Sequence, residues 1–329
     1  MSVLITGGAG YVGSALTRRL IEIGHHVVSI DNLTRGSYEH LQPYYCSGKL
    51  NPLVGDICDI DALERAVKKA GELDVIFHLA ALPGVDMCKK RPREAVLTNV
   101  YGSYNVLEVA RKHDVDLIVL TSSAAVYGDP LEVPVPETHP TMPRNLYGIT
   151  KLMAERLFLS YYQLYGLCTV ILRLANIYGL GLFTYWDNVI PKFVRLGLEG
   201  KPLSVYWTGE QTRDFIHVED VVSALELVLK ADKKTISGEV FNVATGRPVT
   251  INEVAETVKE LIERELGRSV KIEHGPPPNE RSETLVPGFC LSAKKIQNTL
   301  GFRPSRTLEE GVSQLISYYC SRFLKGTGA

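Results

Sequence analysis

The apolar positions in the first half of the chain fall into short unbroken runs rather than alternating ones. "SVLITGG", "HHVVSID", "LNPLVGDI", "DVIFHLAA" and "DLIVLTSS" each read as a strand that is apolar on both faces, the pattern of a strand buried between two layers. Between them lie segments with helical spacing, one from about Tyr11, one near Ile60 to Lys69 and one near Arg93 to Lys112. Such alternation implies right-handed crossovers and a parallel sheet covered on both sides. A further helix carries Tyr147, and the strand "CTVILRLANIYG" follows it. The rhythm then loosens through "LGLFTYWDNVIPKFVRLGLEGKPLSVY", where a second lobe is expected to begin. A return to the first lobe is expected at "RDFIHVEDVVSALELVLKA". The predicted organisation is α/β: a doubly wound parallel sheet over residues 1–176 with about 214–240, and a smaller α/β domain from about 177–213 and 241–329.

The turn after the first strand is where the chain first specifies chemistry. In "TGGAGYVGS", Gly7, Gly10 and Gly13 stand at G-x-x-G-x-x-G spacing between a strand and a helix. The first glycines permit a tight turn and close approach of a pyrophosphate to the backbone. The last lets helix and strand pack, and the helix N-terminus favours negative charge. Glycine spacing alone is a weak signal, but here the flanking elements match. Asp31 also ends the next strand about 20 residues on, where a carboxylate accepts from ribose hydroxyls. A carboxylate there repels a ribose 2′-phosphate, so NAD is expected over NADP. Arg35 softens that repulsion and keeps dual use open. The first lobe therefore reads as a Rossmann dinucleotide-binding domain.

In "RNLYGITKLMAER", Tyr147 and Lys151 are four residues apart and so share a helix face. An ammonium beside a phenol favours the phenolate, and is expected to lower Tyr147 from its usual value of about 10. Taken alone the pair is common, and a packed tyrosine beside a solvated lysine explains it equally. The end of "DLIVLTSS" changes the balance. Ser122 and Ser123 reach the carboxyl edge of the sheet, where ligands of this architecture bind, and a hydroxyl there can bond the same substrate oxygen.

Composition excludes partners more than it identifies them. Lys+Arg number 36 against 37 Asp+Glu, so the net charge of −1 supplies no basic face for nucleic acid or an anionic membrane. With 45% hydrophobic and 22% charged residues the chain has a soluble composition and length enough for two lobes. No apolar run reaches the roughly 18 residues of a membrane span, and "MSVLITGGAG" enters a strand without a basic leader, so a cytoplasmic protein is expected. The six cysteines, Cys46, Cys58, Cys88, Cys168, Cys290 and Cys320, are far apart and form no CxxC pair. That argues against a zinc site or a disulfide framework and fits a reducing compartment.

Beyond these, "DNLTRG", "GDICD", "FHLAA", "TNVYGSYNVLEVAR", "SSAAVYGDP", "YGITK", "RLANIYG", "VIPKF", "QTRDFIHVEDVV" and "GEVFNVATG" occur in an order that covers nearly the whole chain. With them the chain resembles the extended short-chain dehydrogenase/reductases, and among these the nucleotide-sugar epimerases of the UDP-glucose 4-epimerase type. The resemblance implies a catalytic trio: Tyr147 as base, Ser123 orienting the reacting hydroxyl, and Lys151 lowering the tyrosine and holding the nicotinamide ribose. It implies NAD held by Gly7, Gly10, Tyr11 and Val12, with Asp31, Asn32, Leu33, Thr34 and Gly36 at the adenosine ribose. Asp56 and Ile57 would take the adenine, and Leu79, Ala80, Ala81, Asn99 and Ser122 would line the rest of the dinucleotide. Substrate contacts are implied for Ser123, Asn176, Val189, Arg213 and Arg281. The two arginines suit a diphosphate as planar, permanently charged forks, although either also serves as a surface salt-bridge partner. "NERSETLVPGFCLSAKK" departs from the family run after Arg281, and Phe289 or Cys290 there is a candidate for limiting the sugar's C2 substituent.

The reaction implied is a transient oxidation at the sugar C4, with NAD retained and hydride returned to the opposite face. Relatives that dehydrate or decarboxylate carry carboxylates just after the serine, whereas Ala124 and Ala125 here can neither donate nor accept a proton. That leaves a 4-epimerase of a UDP-sugar, or a reductase using the same trio. Pro83 stands where some 4-epimerases have lysine, which allows a different sugar preference. A non-catalytic NAD-binding sensor would be expected to lack the tyrosine or the lysine. "TNVYGSYNVLEVARKH" and "YGITKLMAERLFLSYYQLYG" each carry more apolar surface than one sheet face requires, and the resemblance implies a homodimer through them, since in the family these helix pairs form a four-helix interface between two subunits. Alternatively Leu157, Phe158, Tyr161 and Tyr162 are simply core.

Overall fold

A computed structural model describes residues 1–45, 48–182, 184–276 and 288–324. The first half runs β1 (Ser2–Thr6), α1 (Tyr11–Glu22), β2 (His26–Asp31), α2 (Gln42–Tyr45), β3 (Leu50–Val54), α3 (Ile60–Ala70), β4 (Val75–His78), α4 (Val85–Lys90), α5 (Pro92–Val96), α6 (Gly102–Lys112), β5 (Leu117–Ser123), α7 (Leu146–Tyr165) and β6 (Thr169–Leu174). The second half continues with β7 (Asn176–Tyr178), α8 (Val189–Leu198), β8 (Leu203–Tyr206), β9 (Thr212–His217), α9 (Val218–Lys230), α10 (Lys233–Ile236), β10 (Glu239–Val243), β11 (Pro248–Thr250), α11 (Ile251–Leu266), β12 (Ile272–Gly275), α12 (Lys294–Leu300) and α13 (Leu308–Tyr319).

Within β1, Val3 and Ile5 pack into one apolar layer and Leu4 into the other, which is why the strand shows no polar alternation. Seven strands continue this arrangement in the order β3-β2-β1-β4-β5-β6-β10, every neighbouring pair parallel. On one face α1 and α9 bring Leu16, Leu20, Val221 and Leu225 against Val3, Ile5 and Phe77. On the other, α3, α6 and α7 bring Leu63, Leu107 and Phe158 against Leu4, Ile76 and Ile118. The strand order reverses between β1 and β4, and a crevice opens there at the carboxyl ends.

The second lobe has its own core, built from Phe193 and Val194 of α8, Leu203 and Val205 of β8, Val258 and Leu261 of α11, and Val312 and Leu315 of α13. Its strands form a three-stranded sheet, β11-β9-β7, and a parallel pair, β12-β8. Two features differ from the sequence expectation. "CTVILRLANIYG" is not one strand. The Ala175 N–H makes a last bond to Val243 at 3.0 Å, and the chain then leaves the main sheet so that Asn176 pairs with Phe215 of β9. The expected division at 240 falls inside β10, the seventh main-sheet strand. Leu291, Ala293, Ile296 and Phe302 also pack into the first lobe, tied there by Val135 N–H to Cys290 at 2.8 Å and Ser292 N–H to Val135 at 2.9 Å.

Among the described residues no helix is long and apolar enough to cross a membrane. The five described cysteines are free.

Candidate active site

The crevice is a cleft of about 420 Å³ whose floor is the glycine loop. Gly7 has φ +73°, and a Cβ there would stand 2.7 Å from the Ala80 nitrogen; a Cβ on Gly13 would stand 2.0 Å from the Gly7 oxygen. Only glycine fits either place, so β1, β4 and α1 can close together. Gly10 caps α1 without a side chain, and Gly10, Tyr11 and Val12 line the cleft where the positive end of the helix opens. Asp31, at the carboxyl end of β2, accepts the Ala9 N–H at 3.1 Å on one oxygen and the Leu33 N–H at 2.8 Å on the other. Burial pushes its carboxyl pKa up, and the two N–H bonds oppose that. Each oxygen retains acceptor capacity facing the cleft, which suits a pair of ribose hydroxyls.

The same cleft gathers Asn32, Thr34, Gly36, Ile57, Leu79, Ala80 and Ala81, and with them Ser122, Ser123, Tyr147, Lys151 and Asn176. Other residues named from sequence stand behind this wall. Leu33 has φ +59° and contributes its backbone N–H to Asp31, while its side chain is exposed. Asp56 accepts from the Asn32 amide at 3.0 Å and the Cys58 N–H at 2.8 Å; burial raises its pKa, but these bonds hold the carboxyl below the usual range. Asn99 is 2% exposed and does not line the cleft. The π turn Leu97–Tyr101 carries it inward, where its amide bonds both Leu82 N–H (2.7 Å) and Leu82 C=O (3.2 Å) and donates to Thr150 Oγ1 at 2.9 Å. It therefore braces the cleft wall against α7.

Tyr147 and Lys151 project from the first turns of α7, whose start is fixed by Asn145 Oδ1 accepting the Gly148 N–H at 2.9 Å. Ser123 ends β5, with Oγ accepting the Ala125 N–H at 3.2 Å. The expected lowering of the Tyr147 pKa is not what its surroundings produce. Burial pushes the phenol up, and the nearby Ser123 hydroxyl, placed to bond the phenol oxygen, pulls it down. A phenolate loses more by leaving water here than the Ser123 hydroxyl returns. Lys151 is 4% exposed, and burial pushes it down to about 8 against the opposing pull of Glu155. No ion pair holds its ammonium among the described residues, although it lines the cleft. Behind it, His78 is pushed down to about 3 by burial and by Lys151, and stays neutral. Its Nδ1 lies 2.7 Å from Thr6 Oγ1 and its Nε2 2.9 Å from Ser103 Oγ.

Sequence reasoning missed Glu155. It sits one turn beyond Lys151, accepts the Ser122 hydroxyl at 2.5 Å and pairs with Arg173 of β6 at 2.7 Å, tying α7 to β5 and β6. Ser122 thus spends its hydroxyl on the scaffold. The available signal was an arginine inside a fully apolar strand, which requires a buried acid. Toward the second lobe, Asn188 at the start of α8 lines the cleft, while Val189 follows it on the helix and Arg213 on β9 donates to the Thr212 carbonyl at 2.8 Å; neither of these two is in the wall. Arg281 lies outside the described residues. Cys290 is fully buried with its thiol 3.4 Å from Asp214, and neither it nor Phe289 lines the cleft. Among the described lining residues the only acids are Asp31 and Glu94, and Glu94 pairs with Arg91 at 2.6 Å. Beside Ser123, the short turn Ala124–Val126 offers only apolar side chains.

Residues 3–244 match the NAD dependent epimerase/dehydratase family. The chain belongs to this family. A putative UDP-glucose 4-epimerase of Methanocaldococcus jannaschii is 34% identical, over 96% of this chain and 97% of its own length. The Bos taurus dTDP-D-glucose 4,6-dehydratase is 30% identical over 98% of this chain and 89% of its own length. Among solved structures, the UDP-glucose 4-epimerase of Thermotoga maritima with UDP-glucose superposes with a TM-score of 0.86 at 31% identity, covering 98% of this chain and 99% of that one. As a member of the epimerase/dehydratase family the chain is an NAD-dependent enzyme. The uncapped loop, the two-acceptor Asp31 and the unpaired buried ammonium of Lys151 fit that dinucleotide.

Proposed function

We propose that the chain interconverts the C4 epimers of a UDP-sugar of the glucose/galactose type. The observation that carries this reading is a Tyr147–Ser123–Lys151 cluster in the cleft with alanines, rather than acids, in the turn after Ser123. Dehydration needs a group to move a second proton. Within the described wall the only acids are Asp31, beside the glycine loop, and the ion-paired Glu94.

In this reading the Tyr147 oxygen takes the proton from the sugar 4-hydroxyl and later returns it. Ser123 holds that hydroxyl in line, and the Lys151 ammonium stabilises the phenolate and holds the nicotinamide ribose. NAD, when bound, accepts the C4 hydride and gives it back. The balance between the high phenol and the low lysine is what the site must shift as it fills, because closing water out of the cleft strengthens every charge contact in it. Asn176, which lines the cleft, is proposed to meet the nucleotide diphosphate near the start of α8, and the first lobe to hold the cofactor, while Val189, Arg213 and Arg281 stay expectations from the sequence. Affinity concentrated on the diphosphate leaves the sugar ring free to turn over.

Purified protein incubated with UDP-, dTDP- and GDP-hexoses, without added reductant, is expected to invert C4 of a UDP-hexose with no net change in NADH. A 4-keto-6-deoxy product would assign it to the dehydratases instead, and stoichiometric consumption of NADH to the reductases.

A further inference from the structure

The mouth of the cleft is crossed by a contact between the two lobes. Arg35 springs from the loop after β2, and that loop is fixed. The Thr34 N–H donates to Asn32 Oδ1 at 3.1 Å, the Ser37 N–H donates to the Ala9 carbonyl at 3.2 Å, and Gly36 lies so close that a Cβ would stand 2.6 Å from Ala9 backbone atoms. Tyr185 comes from the segment between β7 and α8. Its ring meets Tyr11 edge-on at 5.9 Å, and the Tyr11 hydroxyl donates to the Gly179 carbonyl at 2.6 Å, so the far side is anchored to α1 as well. The Arg35 guanidinium carbon lies 4.3 Å from the centre of the Tyr185 ring. Both side chains line the cleft together with Gly10 and Asp31, the stretch that would hold the pyrophosphate and adenosine ribose.

We propose that Arg35 and Tyr185 form a strap over the dinucleotide that keeps it from leaving during turnover. This inference rests on the placement of the cofactor in the cleft and not on the fate of the sugar. A cation held over an aromatic face is a directional contact, and here its halves come from opposite banks. Opening the mouth therefore requires breaking it. A transient oxidation depends on such retention, because a reduced cofactor lost before hydride return strands the oxidised sugar.

The test measures release of bound NADH by fluorescence as excess NAD displaces it, in full-length wild type, Arg35→Ala, Tyr185→Ala, Tyr185→Phe and the double alanine variant. The expected result is release about tenfold faster in each single alanine variant, no further gain in the double variant, and wild-type release in Tyr185→Phe, which keeps the ring. Unchanged release in Arg35→Ala, or equal acceleration in Tyr185→Phe and Tyr185→Ala, overturns the strap. Arg35 is on an external loop and carries the test if Tyr185→Ala does not fold. Since no sugar is present, the strap can hold while the epimerase assignment fails, and the reverse.

Discussion

Glu155 stands one helical turn beyond Lys151, and Arg173 closes on its carboxylate at 2.7 Å with only 1% of the Glu155 side chain and 7% of the Arg173 side chain exposed. The pair is the peg that holds α7 on the sheet. Removing one partner of a buried ion pair leaves an uncompensated charge, which costs about 3–5 kcal/mol. Glu155→Gln is therefore expected to lower the unfolding free energy by that order in a denaturant titration. The double variant Glu155→Leu with Arg173→Met is expected to lose less than the single one.

Tyr147→Phe removes the hydroxyl and leaves the ring that packs near Leu82 and Cys88. Turnover of the nucleotide sugar is expected to fall by about 10²–10⁴-fold, the usual contribution of a positioned acid/base. NAD titrated by protein fluorescence is expected to bind as before. Turnover that survives the substitution would remove Tyr147 from the chemistry.

Much of the site could be read from sequence because it is local. The glycines, Asp31, the Tyr147–Lys151 spacing and the serines ending β5 each combine a short period with a residue type, and the sheet positions them together. What escaped depends on partners far along the chain or on solvation. The apolar run from Cys168 to Gly179 gives no sign that its hydrogen-bond partner changes at Ala175, since both sheets bury it. Asn99 sits in what sequence presents as an ordinary helix, and one π turn rotates it from the cleft into the wall. Arg35 and Tyr185 are 150 positions apart in the sequence, so nothing local joins them. The direction of the Tyr147 shift turned on burial, which no spacing reveals.

Asn99 supports a stability prediction of its own. Replacing it with alanine leaves the Leu82 N–H unpaired in a buried place and its carbonyl with only the Cys88 thiol at 3.4 Å, and an unsatisfied group of that kind costs about 1–3 kcal/mol. Asn99→Ala is expected to lower the melting temperature and to loosen the cleft wall at Leu82, seen as faster amide exchange there. Unchanged exchange at Leu82 would contradict the bracing role.

His78 gives the pH dependence a definite sign. Burial and Lys151 push the folded imidazole down to about 3 from 6.5, so between those values the unfolded chain holds a proton that the folded one lacks. Stability then falls as pH is lowered through this window, by about 1.4 kcal/mol per pH unit for this proton. The bonding pattern agrees. Ser103 Oγ donates to the Asn99 carbonyl at 2.7 Å and so accepts from Nε2–H, which leaves Nδ1 to accept from Thr6. Protonation would forfeit that acceptance. His78→Asn is expected to be less stable at neutral pH yet to show a flatter decline from pH 6.5 to 4 in denaturant midpoints.

The proposed dimer is testable through symmetry. Phe158 and Tyr161 of α7 are core, but Met153 is 44% exposed, and Tyr101 and Tyr104, stacked at 6.2 Å, are 48% and 41% exposed. These side chains lie at neighbouring helices of one layer and exceed what the sheet can cover. If α6 and α7 meet their copies about a two-fold axis, each substitution enters the interface twice, and a buried unpaired carboxylate is costly at each copy. The wild-type chain is expected to sediment as a dimer at micromolar concentration. Met153→Glu with Tyr101→Glu is expected to sediment as a monomer that still binds NAD, because neither side chain lines the cleft. A wild-type chain that sediments as a monomer at that concentration would leave this face to some other partner.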